Sequence, residues 1–141
     1  MNTSRTLEQL EGHPWPPPPS DATPLMARCH ALRKVPIATL SAGDCRLLIG
    51  QDVGARHLVP LALNFAEAEP LLDSDYYPGD LLLSLLGVGA EYWSQHRDQY
   101  RRLLAVARQA KSALAQAHEP FSSDRKLRKE IDAFLAQDTA A

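Results

Sequence analysis

Proline and glycine punctuation limits what this chain can fold into more than any other feature. Each of its eleven prolines fixes φ and removes a backbone donor, so each begins, ends or interrupts a helix and none suits a central strand. The densest group, His13-Pro14-Trp15-Pro16-Pro17-Pro18-Pro19, is expected to run as extended polyproline II, within a proline-rich N-terminal segment over residues 1–23.

The stretches between these breaks read as helices. Thr6 to Glu11 suits a short helical turn stopped by Gly12 and Pro14. Ser20, Asp21 and Thr23 offer N-cap oxygens to a helix from Pro24 to Lys34, with Leu25, Cys29 and Leu32 on its buried face and Pro36 after it. Ser41, with Asp44 three residues on, opens the next helix, bounded by Gly50 and Gly54. Ala55 to Ala68 is amphipathic through Leu58, Leu61, Ala62 and Phe65, with Pro60 near its first turn and Pro70 closing it.

Leu71 to Gly79 collects turn formers and is expected as a partly exposed loop. Asp80 is then expected to cap a leucine-rich helix, Leu81–Leu86, buried on most sides and stopped by Gly87 and Gly89. Trp93, Tyr100, Ala107 and Leu114, with Leu103 and Ala110 beside them, mark one long helix from Ala90 to Ala117. A turn over Glu119–Ser123 leads to a last helix, Asp124–Gln137, with Leu127, Ile131, Phe134 and Leu135 on one face. Residues 90–137 should therefore form a helical hairpin. The whole, residues 1–141, reads as a single all-α domain of about six or seven helices, because no sustained two-residue alternation calls for a sheet.

Composition narrows the function classes. Apolar residues make up 45% and charged residues 23%, as in ordinary globular chains, and the two cysteines, Cys29 and Cys45, lack CxxC spacing, so reduced core thiols are expected. The N-terminus carries Glu8 and Glu11 where a secretory signal needs an apolar run, and no apolar stretch reaches membrane-spanning length. A cytoplasmic protein with no membrane contact is the expectation. A net charge of −2 gives no general affinity for nucleic acid.

The remaining residues form no recognisable catalytic or ligand motif. His13, His30, His57, His96 and His118 are scattered without metal-ligand spacing. Cys29-His30 are helix neighbours pointing about 100° apart, too divergent for a nucleophile and its base. Gly87-Val88-Gly89 has Tyr92 where a dinucleotide loop needs its third glycine, and Asp73-Ser74-Asp75 meets Tyr77 and Pro78 where a calcium loop needs a ligand and a glycine. Arg125-Lys126 and Arg128-Lys129 read as a solvated basic face. No catalytic residue, metal ligand, cofactor or small-molecule substrate is expected.

The strongest remaining signal is charge. From Leu58 to Gln95 there is no Lys, Arg or His, while Glu67, Glu69, Asp73, Asp75, Asp80 and Glu91 all fall there. Such a segment repels itself unless it is solvated or met by a basic partner. Tyr76 and Tyr77 within it combine apolar area with polar tips, as protein-binding surfaces do, the alternative being that they fold back on the core.

Several ordered segments resemble a known bacterial family: Leu10-Glu11-Gly12, Trp15-Pro16, Asp21-Ala22-Thr23-Pro24-Leu25, Arg28-Cys29-His30-Ala31-Leu32-Arg33, Leu47-Leu48-Ile49-Gly50-Gln51, Leu58-Val59-Pro60-Leu61-Ala62-Leu63, Tyr76-Tyr77-Pro78-Gly79-Asp80-Leu81-Leu82 and Tyr92-Trp93. Together they resemble the immunity proteins of contact-dependent growth inhibition (CDI) systems over about residues 7 to 104. The resemblance implies a cofactor-free cytoplasmic protein that binds the toxic C-terminal domain delivered by a sibling cell, one to one, and neutralises it without catalysis. It further implies a nuclease, foremost a ribonuclease, as the toxin, and the charge map then gives Glu67, Glu69, Asp73, Asp75, Tyr76, Tyr77 and Asp80 as the surface expected to meet its cationic cleft. A small helical adaptor for another cellular protein is the alternative. The fold reading predicts a far-ultraviolet circular dichroism spectrum dominated by helix; a strand-dominated spectrum would overturn it.

Overall fold

The computed structural model describes residues 4–116 and 122–140, and the described residues are all-α with no strand. Eight helices follow in order: α1 (Leu7–Glu11), α2 (Pro24–Leu32), α3 (Ala42–Gly50), α4 (Ala55–Ala68), α5 (Asp80–Leu86), α6 (Ala90–Gln95), α7 (Arg97–Ala115) and α8 (Ser122–Ala140), with a 3-10 turn at Ile37–Thr39. Residues 119–121 of the expected turn lie outside the described residues, and α8 begins two residues before its expected start.

Side-chain caps set the starts of the first three helices. Thr6 accepts from the Gln9 amide while Gln9 returns a bond to the Thr6 amide, and Ser41 and Asp44 form the same reciprocal box at α3. Thr23 accepts from the Met26 amide at the start of α2, with Pro24 at the first helical position. Pro60 stands inside α4, in its second turn rather than its first.

The expected long helix is divided at His96, whose backbone leaves the helical region at φ −130°, ψ 62°. Its Nδ1 lies 2.9 Å from the Tyr92 carbonyl, the acceptor that its own amide would use in a continuous helix. The amide turns instead to Trp93 at 3.3 Å. A side chain thus competes with the backbone for one acceptor and ends α6 without proline or glycine. The predicted stripe survives the break: Trp93, Tyr100, Leu103, Ala107, Ala110 and Leu114 are all buried.

Helix α5 is the centre of the bundle. Leu81, Leu82 and Leu85 are fully buried, and the helix packs on α3, α4, α7 and α8. The hairpin of α7 and α8 closes one side, with Leu127, Ile131 and Phe134 buried and the Phe134 ring against Trp93 and Tyr100. Its antiparallel register is marked by Lys111–Asp132 at 3.0 Å and by Arg128 donating to the Leu114 carbonyl at 2.6 Å. Arg128 therefore serves the last turn of α7, a correction to the purely solvated basic face.

Helix α2 lies at the margin against α3, so Cys29 and Leu32 are buried but Leu25 stands exposed, contrary to the expected apolar face. The segment from His13 to Pro19 has no regular secondary structure. It is tied down by Arg33, fully buried, which bonds Glu11 at 2.7 Å and the His13 carbonyl at 3.2 Å beneath the Trp15 ring, 4.2 Å away. Both cysteines are free; burial pushes the Cys29 thiol up and that of Cys45 to about 12, the neighbouring Asp44 charge adding to the second. Inert thiols result.

Truncating Trp93 or Leu103 to alanine should destabilise the fold by about 2–5 kcal/mol, the usual cost of emptying a large core site. Denaturant titration checks this, and a loss under about 0.5 kcal/mol, the scale of surface substitutions, would contradict the packing.

Candidate protein-binding face

The acidic segment spans the last turn of α4, the loop to α5 and the first residue of α5. Asp80 organises it, though not as the expected cap of its own helix. Gly79 holds the N-cap position at φ 86°, a conformation that favours glycine, and the Leu127 side chain lies where a Cβ would be. Asp80 is thereby turned back into the loop, 3% exposed.

Its carboxylate is an acceptor on every side. Oδ1 takes the Ser74 amide and hydroxyl, each at 2.8 Å; Oδ2 takes the Asp75 amide at 3.2 Å and the Tyr76 amide at 3.0 Å. Burial works against the charged form, but the bonds from Ser74, Tyr76 and Asp75 outweigh it and hold the pKa below the ordinary aspartate value. A backbone bridge between Asp73 and Pro78 narrows the neck of the loop.

The other expected residues fall into distinct places. Glu69, Asp73 and Asp75 are exposed, and none of the three forms an ion pair among the described residues. Asp75 rests its carboxylate on Gly43 of α3, closely enough that a Cβ there would collide with it. Tyr76 is 71% exposed, whereas Tyr77 is half-buried and its carbonyl accepts the Asp80 amide at 3.1 Å. Glu67 is exposed but paired, bonded by Arg102 of α7 at 2.7 and 3.0 Å; that bonding lowers its pKa despite partial burial.

The segment is therefore not left without cations. Arg102 reaches it from α7 and Arg46 from α3, the latter placing Nε 3.8 Å from Asp80 and its guanidinium 4.5 Å from the Tyr76 ring centroid. Neither was visible in local spacing, since both come from distant helices. One signal did exist: a glycine inside a helix, such as Gly43, often marks a close approach by another segment.

Elsewhere, Gly87 and Gly89 line a cleft of about 520 Å³ whose wall carries the carboxylates of Asp52 and Glu91 and no basic residue. Such a cleft repels phosphate. Among the described residues no group of three or more His, Cys, Asp or Glu side chains is placed to hold a metal ion, and no helix is long and apolar enough to cross a membrane.

Replacing Asp80 with asparagine should cost about 1.5–3 kcal/mol at neutral pH, the range for hydrogen bonds to a charged group. A lowered native pKa contributes stability above the unfolded value, lost as pH falls through the native one, so the deficit should shrink below about pH 3.8. Urea unfolding at pH 7 and pH 3 measures it; a deficit equal at both would contradict the ionised role.

Comparison with known proteins adds one match and one absence. No curated protein matches the chain at a significant level. A family described as CDI immunity proteins matches residues 9–103, about two thirds of the chain, a stretch running from α1 through the loop and Asp80 into α7. The chain belongs to the CDI immunity proteins, the inhibitors that neutralise CDI toxins.

Proposed function

We propose that the chain protects the cytoplasm of its own cell by binding one cognate CDI toxin domain through the face made by the end of α4, the pinned loop and the start of α3. The observation that carries this reading is the exposure of Glu69, Asp73 and Asp75 with Tyr76 on a loop whose backbone is already fixed by Asp80. Carboxylates without an ion-pair partner project a negative field, which steers a cationic surface into place and selects against acidic ones. Glu67 sits at the rim, held by Arg102, and Tyr77 and Asp80 act beneath the surface by shaping it.

A nuclease, foremost a ribonuclease, fits best as the toxin, because a cleft that binds phosphates must be cationic and an acidic loop can fill it in place of substrate. The action is binding, with no catalytic step. Family membership favours this over an adaptor for another cellular protein.

Reversing both Asp73 and Asp75 to lysine should slow association with the cognate CDI toxin domain by about tenfold at low salt, and by less at high salt, since steering is screened by ions. The fold should be retained, with a modest loss of stability where the Asp75 carboxylate leaves its seat on Gly43. Binding kinetics at two salt concentrations, with circular dichroism as the folding control, decide this; equal rates and equal salt slopes would leave the segment as a solvated face.

A further inference from the structure

We propose that Tyr76 is the anchor side chain of the toxin interface and that Arg46 is a positioning residue which holds its ring outward for the toxin to enclose. This rests on the face proposed above and goes further in naming where its affinity resides. Three large hydrophobic side chains stand exposed among the described residues: Leu25 at 40%, Met26 at 46% and Tyr76 at 71%. Only Tyr76 lies among the unpaired carboxylates, and only Tyr76 is backed by a cation, the Arg46 guanidinium.

The placement of Arg46 is unusual for a cation beside a carboxylate. Its Nε is buried and makes no hydrogen bond, although the Asp80 carboxylate is 3.8 Å away. The guanidinium is held by charge and by the ring face, not by a fork of donors on the acid. Behind the ring, the Tyr76 amide is fixed to Asp80 at 3.0 Å, and the preceding Asp75 is wedged on Gly43. Ring and backbone are thus both restrained before any partner arrives.

An aromatic with few rotatable bonds, restrained in advance, loses little freedom on binding, and such residues dominate interface energetics when a pocket closes over them. The occupant of this face is a toxin pocket with apolar walls for the ring and a cation beside them for Asp75. Association is governed by the surrounding charges and dissociation by Tyr76, so the two contributions separate kinetically.

The test uses the full chain and a catalytically inactive form of its cognate CDI toxin domain. Tyr76→Ala should speed dissociation at least about tenfold while association stays within about twofold, as for a central hot spot, and Tyr76→Phe should stay within about threefold of wild type. Arg46→Ala should speed dissociation in the wild-type background and add nothing in the Tyr76→Ala background, the coupling expected of a residue acting through another. Should Arg46→Ala fail to fold, Arg46→Lys keeps the charge near Asp80 while losing the broad planar group, and takes its place in the cycle. Wild-type dissociation from Tyr76→Ala, or equal effects of the Arg46 change in both backgrounds, would overturn the proposal. If the Asp73 and Asp75 reversal still slows association in that case, the face stands and Tyr76 is not its anchor; if it too has no effect, the face itself is wrong.

Discussion

The Asp80 carboxylate joins the innermost helix of this protein to its outermost loop. It begins α5, which is packed on α3, α4, α7 and α8, and it gathers the amides of Ser74, Asp75 and Tyr76 from the surface. A buried charge is tolerated only where its lone pairs are met, and here the loop backbone meets them. The same bonds give an otherwise irregular stretch a single shape.

That arrangement divides the acidic segment into two populations. Asp80 and Glu67 are engaged by Arg46 and Arg102, drawn from distant helices, while Glu69, Asp73 and Asp75 remain toward solvent without ion pairs. Self-repulsion is reduced where folding requires it and retained where an external partner can use it. Within the proposed function, stability and recognition are served by different carboxylates of one loop, so a change at Asp80 and a change at Asp73 should fail in different ways.

What could be read from the sequence follows the range of the interactions involved. The capping box at Ser41, the Pro24 start and the apolar stripes of α4, α7 and α8 are local, and their signals lie within a few residues. The break at His96 was missed because it depends on which donor wins the Tyr92 carbonyl, a competition no periodicity displays. Asp80 has the composition of a cap, and only the glycine before it, turned to φ 86°, reverses its side chain into the loop. Leu25 fits an apolar period on α2 but meets no opposing helix. Arg46 and Arg102 were invisible as parts of the face, since the chain separation conceals the contact.

Under the proposed function, a loop shaped in advance by Asp80 is the part that meets the toxin. Hydrogen exchange of the free protein and of its toxin complex tests both halves together. The amides of Ser74, Asp75 and Tyr76 should exchange slowly before the toxin is added, because each is bonded to a buried carboxylate, and binding should add protection within residues 67–80 and at the start of α3. Rapid exchange of those three amides in the free protein, or a footprint that leaves residues 67–80 unchanged, would contradict it.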